Sequence, residues 1–356
     1  MRLPLVALVL ALAGLLAVDL EPSAAPRVLA AAPLRAKQKP APEAVRVAFV
    51  KNGRIRRVER VVPKGLPPAE HALRELVQGP TRAERRRDLR TAFRDGSRVR
   101  SVRTDGALWY VSLSRSAFGA GSPETQRARL WQIAATLAPL GPQEHVVVAT
   151  EGRVVSTVRL GVRPGRWRGE VGENGYRYEV RGVQLRLWTL GYLDRSDVTG
   201  SADYLTQQAL LAFQGWEGIE RTGTVTGSTQ VALFRATRPR PRQRGASGRR
   251  IEIHLDQAAL LVVEDREVVR VVHTSTGAGG TTPRGEFRVY AKSLMSWSVP
   301  FRVWMPFAAY FRGGIAMHQS PDVPPYPASH GCVRLPEGEA ERVYRFVEIE
   351  TPVTVF

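Results

Sequence analysis

Cysteine is nearly absent from this chain, with Cys332 as the single example in 356 residues. Exported proteins usually use cysteine in pairs, so a lone cysteine excludes an intramolecular disulfide framework. A free reactive thiol and a silent buried thiol both remain open. The six histidines show no metal-ligand spacing, so the sequence predicts no metal site. No segment repeats at a fixed period, which excludes a repeat architecture.

Acidic residues are also scarce, because 33 Asp and Glu stand against 52 Lys and Arg, for a formal net charge of +19. Nearly all of the basic residues are arginine. An excess of this size predicts an anionic partner. Hydrophobic residues make up 43% of the chain, which is ample for packed cores, and the length allows two or three domains.

Long apolar runs are missing everywhere except at the N-terminus. Arg2 precedes an apolar run over residues 3–18, and small residues follow it, which is typical of a secretory signal peptide. Residues 1–32 are therefore interpreted as a signal peptide or an uncleaved anchor. No cysteine follows the run, which excludes a lipoprotein anchor. The expected location is the cell wall or the extracytoplasmic face, where wall polymers and peptidoglycan carboxylates are the abundant anions. No nucleic acid partner is expected, and membrane contact is expected only through an uncleaved N-terminal segment.

The first predicted domain covers residues 45–162, after a linker at 33–44. Alternating apolar residues predict strands, and helical spacing predicts two helices, which together indicate an α+β domain. Residues 72–81 (ALRELVQGPT) and 109–113 (WYVSL) resemble the GerMN domain of spore-germination and wall-associated proteins. The resemblance implies a structural module and suggests nothing catalytic.

The second predicted domain covers residues 176–236, after a linker at 163–175. Apolar spacing predicts a small bundle of three short helices, with Thr206 and Ser228 as N-caps of the second and third. The pattern through Val183, Leu190, Phe213 and later residues resembles a three-helix peptidoglycan-binding domain, which implies wall binding. Residues 237–249, rich in Pro, Gly and Arg, are interpreted as a basic linker and solvated tether that could contact wall anions.

Residues 250–356 are predicted to be mainly β, with one helix at 337–345. The informative segment runs from His318 to Arg334. A cysteine nucleophile needs a base, and imidazole suits that task near neutral pH. Gly331 lets a substrate approach closely, and the backbone N–H groups of Gly331 and Cys332 could bind an oxyanion.

An upstream histidine followed by Ser329-His330-Gly331-Cys332 closely resembles the signature of the L,D-transpeptidase (YkuD-type) family. Residues 275–277, 282–287 and 313–318 support the match. The resemblance implies that Cys332 attacks and that His318 acts as base and proton shuttle. It also implies that His330 shapes and polarises the site while Ser329 and Gly331 position the loop. No metal or organic cofactor is implied.

Two positions depart from the family pattern. Gln319 stands where a glycine commonly follows the upstream histidine, and Arg334 stands where many members have asparagine. Arg334 could bind a stem-peptide carboxylate or brace the loop.

The implied reaction cross-links peptidoglycan stem peptides through a cysteine thioester and releases terminal D-alanine. An L,D-carboxypeptidase at the same site and a non-catalytic wall-binding protein remain alternatives. A papain-like endopeptidase is disfavoured because that family places its cysteine before its histidine, and no histidine follows Cys332.

Overall fold

The computed structural model describes residues 44–118, 121–151, 153–160, 170–171, 177–178 and 180–356. The predicted signal peptide or anchor at 1–32 lies outside these ranges, as do most of the predicted linkers at 33–44 and 163–175. Within the described ranges, no helix has both the length and the apolar character needed to cross a membrane.

The N-terminal domain is α+β, as predicted. Its elements are β1 (Ala44–Lys51), β2 (Arg54–Val61), α1 (Pro68–Gln78), α2 (Arg82–Arg86), β3 (Val99–Asp105), β4 (Leu108–Leu113), α3 (Pro123–Leu137), β5 (His145–Thr150) and β6 (Arg153–Arg159). β1 and β2 form a hairpin, and β3-β4-β5-β6 form a sheet in that order. Helices α1 and α3 bury Leu73 and Ile133 against Phe49 and the sheet. A short pair, β7 (Glu170–Val171) and β8 (Arg177–Tyr178), follows.

Three helices form the second domain: α4 (Val180–Leu190), α5 (Tyr204–Trp216) and α6 (Gly227–Arg235). The predicted N-caps are wrong. Asp203 caps α5 by accepting the N–H of Thr206 at 2.9 Å, and Thr226 caps α6 by accepting the N–H of Thr229 at 3.2 Å. Each true cap lies upstream of the residue predicted because neighbouring Asp, Ser and Thr side chains are all competent caps.

The C-terminal domain is mainly β, as predicted. Its elements are β9 (Arg250–His254), β10 (Ala259–Glu264), β11 (Glu267–His273), β12 (Gly285–Arg288), β13 (Ala291–Ser298), β14 (Val303–Arg312), β15 (Ile315–Gln319), β16 (Val333–Leu335), α7 (Glu339–Phe346) and β17 (Pro352–Val355). One sheet has the order β11-β10-β9-β17-β12 and the other β13-β14-β15-β16. Ile253, Val353 and Met317 belong to one core between them.

The helical domain shares hydrophobic cores with both of its neighbours. Phe213 lies in one cluster with Leu261 and Val271 of the C-terminal sheet, while Leu185 lies in another with Tyr110 of the N-terminal sheet. Apolar burial is the main favourable term in such contacts. The helical domain therefore packs against the C-terminal sheet as part of one folded unit.

The basic linker at 237–249 is also packed, which corrects its interpretation as a solvated tether. The backbone N–H groups of Arg242 and Gln243 donate to the buried carboxylate of Glu252 at 2.7 and 3.1 Å. Arg250 in turn donates to the carbonyl oxygen of Gln243 at 2.6 Å. A buried carboxylate needs such donors, so Glu252 fixes the linker to β9.

Candidate active site

The second sheet places the cysteine beside the upstream histidine. Strands β15 and β16 run parallel, with His318 opposite Arg334 in the register. Cys332 immediately precedes β16 and is half-buried. A parallel pair requires a crossover connection, and here residues 320–332 form it. The connection brings Cys332 to the start of β16, next to strand β15, which carries His318.

Ser329 forms hydrogen bonds within residues 329–332, named the nucleophile loop for the role predicted for Cys332. Its Oγ donates to the carbonyl oxygen of Cys332 at 2.6 Å and accepts the N–H of Gly331 at 3.0 Å. Ser329 is 5% exposed, so both hydrogen bonds are shielded from water. Loss of a hydrogen bond is costly at such a buried position. The N–H of Gly331 is therefore engaged within the loop. Of the two backbone N–H groups predicted to bind an oxyanion, the one that Ser329 does not engage is that of Cys332.

Gly331 adopts a backbone that only glycine takes readily. Its φ is +141°, in the region disfavoured by a Cβ. Its carbonyl accepts a hydrogen bond from the Thr282 hydroxyl at 2.8 Å, and that hydroxyl also accepts the N–H of Gly277 at 2.7 Å. Thr282 thus joins the loop of Gly277 to the loop of Gly331, the residue that precedes the cysteine.

The Pro-rich connection is held by donors to three successive carbonyl groups. His273 Nε2 lies 3.1 Å from the Pro324 oxygen, an Arg221 nitrogen 3.0 Å from the Pro325 oxygen, and Ser275 Oγ 2.8 Å from the Tyr326 oxygen. Arg221 belongs to the helical domain. The helical domain, which resembles a peptidoglycan-binding domain, therefore directly contacts the connection that leads to Cys332.

Burial favours the neutral form of both the Cys332 thiol and the His318 imidazole. Burial raises the pKa of the Cys332 thiol, although the N–H of Ala316 and the charge of Arg334 oppose the shift. Burial likewise lowers the pKa of His318, opposed by its hydrogen bond to Gln319 and assisted by Arg334. His318 Nδ1 lies 2.7 Å from the Gln319 carbonyl oxygen. A carbonyl can only accept, so Nδ1 carries the proton and Nε2 is the nitrogen that can act as a base.

A hairpin of β13 and β14 forms the opposite side of the cleft. Its tip places Phe301 against the exposed His330, with ring centres 4.2 Å apart and planes at 17°. The cleft encloses about 600 Å³. Side chains of both the hairpin and the nucleophile loop line it, including Trp297, Phe301, Tyr310, His318, His330 and Cys332.

Arg334 braces the loop in this structure. Its guanidinium lies 3.3 Å from the carboxylate of Asp322, and Arg334 also lines the cleft. Asp322 is largely exposed, so the pair is weak enough to exchange for another anion.

All six residues predicted for the site line this one cleft: Ser329, His330, Gly331, Cys332, His318 and Arg334. Sequence reasoning missed the supporting roles of Thr282, His273 and Arg221, which lie 49 to 104 residues from their partners. Thr282 falls within a quoted family motif, which was a usable signal. In the described part of the chain, no group of His, Cys, Asp and Glu residues could hold a metal.

Three family models match the chain in the predicted order. The model described as the L,D-transpeptidase catalytic domain (YkuD) matches residues 248–355. The model of a peptidoglycan binding domain matches residues 176–233, and one described by sporulation and spore germination matches 41–156. The comparison with curated proteins found no match.

Solved L,D-transpeptidases are similar to the chain. The enzyme from Xylanimonas cellulosilytica is 38% identical, over 53% of this chain and 96% of that chain, with a TM-score of 0.47. That from Stackebrandtia nassauensis is 25% identical, over 54% and 94%, with a TM-score of 0.36. That from Mycobacterium smegmatis is 24% identical, over 31% and 59%, with a TM-score of 0.30. With the catalytic-domain match and 38% identity across nearly all of the first relative, the chain belongs to the L,D-transpeptidase family.

Proposed function

We propose that the cleft catalyses a two-step acyl transfer between peptidoglycan stem peptides, with Cys332 as nucleophile. The observation that carries this proposal is the convergence of Cys332, His318 and the Ser329 hydrogen bonds in one cleft of about 600 Å³. A cysteine and a neutral imidazole in one cleft are the parts that nucleophilic acyl transfer requires.

The first step forms the acyl-enzyme. His318 Nε2 accepts the thiol proton as Cys332 Sγ bonds to the carbonyl carbon of the third stem residue. The C–N bond to the terminal D-alanine then breaks, and the proton on His318 passes to the departing amine. The raised thiol pKa and lowered imidazole pKa favour transfer of this proton during attack over a resting ion pair.

The second step transfers the acyl group. An amine of a neighbouring stem attacks the thioester and gives its proton to His318. The C–S bond breaks, and the thiolate of Cys332 takes that proton back. The amide formed joins two third residues. Water in place of the amine would make the same site an L,D-carboxypeptidase.

Two further roles complete the proposal. The N–H of Cys332 binds the developing oxyanion, because that of Gly331 is engaged by Ser329. Arg334 exchanges Asp322 for a carboxylate of the stem peptide, a group that a guanidinium binds well. His330 shapes the cleft through its stacking on Phe301.

The helical domain is proposed to hold the enzyme on peptidoglycan, outside the cytoplasmic membrane. The matching family model supports wall binding. Attachment to an insoluble substrate raises the effective concentration of stem peptides at the cleft. Export, by a cleaved signal peptide or an anchor at residues 1–32, stays a prediction.

The test incubates the purified full-length chain with disaccharide-tetrapeptide and follows products by mass spectrometry, beside Cys332→Ala. Cross-linked dimer with released D-alanine, both absent in the variant, is the expected result. Release of D-alanine without dimer would favour the carboxypeptidase. Neither product, with a thiol that still reacts with an electrophile, would contradict the substrate assignment. Products formed equally by Cys332→Ala would exclude cysteine catalysis.

A further inference from the structure

A second groove lies where the three domains meet the basic linker, and it shares no lining residue with the catalytic cleft. It encloses about 780 Å³. Its walls come from the ends of β3 and α4, from the linker, and from the turn between β10 and β11. The charged residues that line it are five arginines and two carboxylates: Arg103, Arg238, Arg240, Arg244, Arg266, Asp105 and Glu267.

Two of these arginines hold the walls of the groove together. Arg103 donates to the carbonyl oxygen of Phe234 at 2.6 Å and stacks over the ring of Tyr110 at 4.0 Å. Arg238 donates to the carbonyl oxygens of Thr189 at 3.1 Å and Val268 at 3.3 Å. These contacts join the N-terminal strand β3 and the linker to the backbone of the helical and C-terminal domains.

The other three arginines have no carboxylate partner among the described residues. Arg240, Arg244 and Arg266 are exposed, and none forms an ion pair there. Of the two carboxylates that line the groove, Asp105 is engaged by Arg186, and Glu267 is the one that offers a nearby negative charge. Five arginines against two carboxylates leave a net positive charge, which concentrates a positive potential in a concave surface.

Two of these arginines, Arg240 and Arg266, stand on a restricted backbone. Arg240 lies between Pro239 and Pro241, which are both buried, and proline fixes φ. Arg266 has a φ of +73° in the two-residue turn between β10 and β11, where Asn-Gly is usually preferred. An arginine there costs stability and places a guanidinium at the groove. A fixed backbone lowers the ordering cost of binding.

We propose that this groove binds a phosphodiester polymer without nucleobases, of the phosphate-rich kind found in cell walls. Guanidinium groups match phosphate oxygens in a bidentate geometry, and several separated cations suit a ligand whose anions repeat along a chain. Among the described residues that line the groove none is aromatic, whereas single-stranded nucleic acid sites stack bases on aromatic rings. A non-aromatic polyanion therefore fits the groove better.

This site goes beyond the proposed acyl transfer, because it uses neither Cys332 nor the cleft. It gives the enzyme a second attachment to the wall, and two linked attachments strengthen each other through effective concentration. Binding through exposed charges is expected to weaken as salt screens them.

The test measures binding of the full-length chain to soluble poly(glycerol phosphate) by calorimetry, with inorganic phosphate as competitor. The variant Arg240→Gln/Arg244→Gln/Arg266→Gln is expected to lose about tenfold or more in affinity, because charge-assisted contacts contribute more than neutral ones. The matched control is Arg54→Gln/Arg56→Gln/Arg57→Gln on the exposed hairpin strand β2. It removes the same charge and should change affinity by no more than about twofold.

Several results would overturn the proposal. Equal losses in the two triple variants would show that only net charge matters. Absence of binding by the wild-type chain would exclude the site. Displacement by inorganic phosphate at the same phosphate concentration would indicate a single-anion site and no polymer recognition. Equal, groove-dependent binding of oligothymidylate would assign the groove to nucleic acid. Dimer formation by the groove variant should match wild type, since the catalytic cleft is unchanged.

Discussion

The two sides of the catalytic cleft are built in opposite ways. On the nucleophile side, His318 and Ser329 are 7% and 5% exposed, and hydrogen bonds fix the loop from several sequence-distant residues. On the hairpin side, Val299 is 73% exposed and Phe301 is 48% exposed. Chemistry requires fixed geometry, whereas exposed apolar surface is typical of a binding surface. The difference fits the proposed function, in which the nucleophile side reacts and the hairpin side recognises the substrate.

The largest expected effect separates the two histidines of the site. His318→Gln should lower the rate of D-alanine release by about 10³-fold, because loss of a general base costs 10²- to 10⁴-fold. His330→Gln should lower it by about tenfold or less, since the exposed ring contributes a stacking contact. Single-turnover release of D-alanine measures both. Equal losses would show that the exposed ring of His330 contributes to the reaction as much as the buried ring of His318 does.

The next effect concerns the pH dependence of stability, through His273 behind the nucleophile loop. Burial lowers the pKa of His273 to about 4, against an ordinary value of about 6.5 in the unfolded chain. The stability that depends on neutral His273 is fully present above about pH 6.5. It is lost as pH falls towards 4, because in that interval the imidazole binds a proton in the unfolded chain and not in the folded chain. The loss is about 3 kcal/mol at 1.36 kcal/mol per pKa unit.

Chemical denaturation at several pH values measures this loss. His273→Gln can keep a donor for the Pro324 carbonyl and has no titrating ring, so its stability should depend less on pH over this interval. The dependence should not vanish, because burial also lowers the pKa of His318. An unchanged slope in the variant would show that His273 does not carry the effect.

A smaller effect compares one serine from each side. Ser329→Ala leaves the N–H of Gly331 and the carbonyl of Cys332 without their partner, and should lower the free energy of unfolding by about 2 kcal/mol. Ser296, on the hairpin, makes one bond at 2.7 Å with the Tyr310 hydroxyl. Ser296→Ala should cost under about 1 kcal/mol. Chemical denaturation at neutral pH measures both, and a reversed order would contradict the comparison.

The recognising and reacting sides also differ in what the sequence could predict. The Ser329–Cys332 motif predicts the nucleophile and its neighbours, since these interactions are local. The partners that fix the loop are not local: Arg221 is 104 residues from Pro325, and His273 is 51 residues from Pro324. No spacing rule reaches across such separations, because folding alone brings these groups together.

Other differences have similar physical causes. The residues of β2 do not show the apolar alternation that predicts a strand, because this arginine-rich segment is an exposed hairpin strand. The composition of residues 237–249 predicts a tether, since charged, Pro-rich segments are usually solvated. Glu252 accepts the hydrogen bonds that fix this linker. It is fully buried in β9, a position where carboxylates are uncommon. The domain order and fold classes depended on longer patterns and were confirmed.

The smallest expected effect lies where the two sides meet, at the stack of Phe301 on His330. Phe301→Leu keeps apolar area and removes the ring, so KM for the tetrapeptide should rise about threefold with kcat nearly unchanged. Stacked aromatic pairs contribute about 0.5–1.5 kcal/mol beyond burial. A double-mutant cycle with His330→Gln should therefore show coupling of this size in kcat/KM. Additive losses would show that each residue contacts substrate independently, and a fall in kcat for Phe301→Leu would place the hairpin on the reacting side.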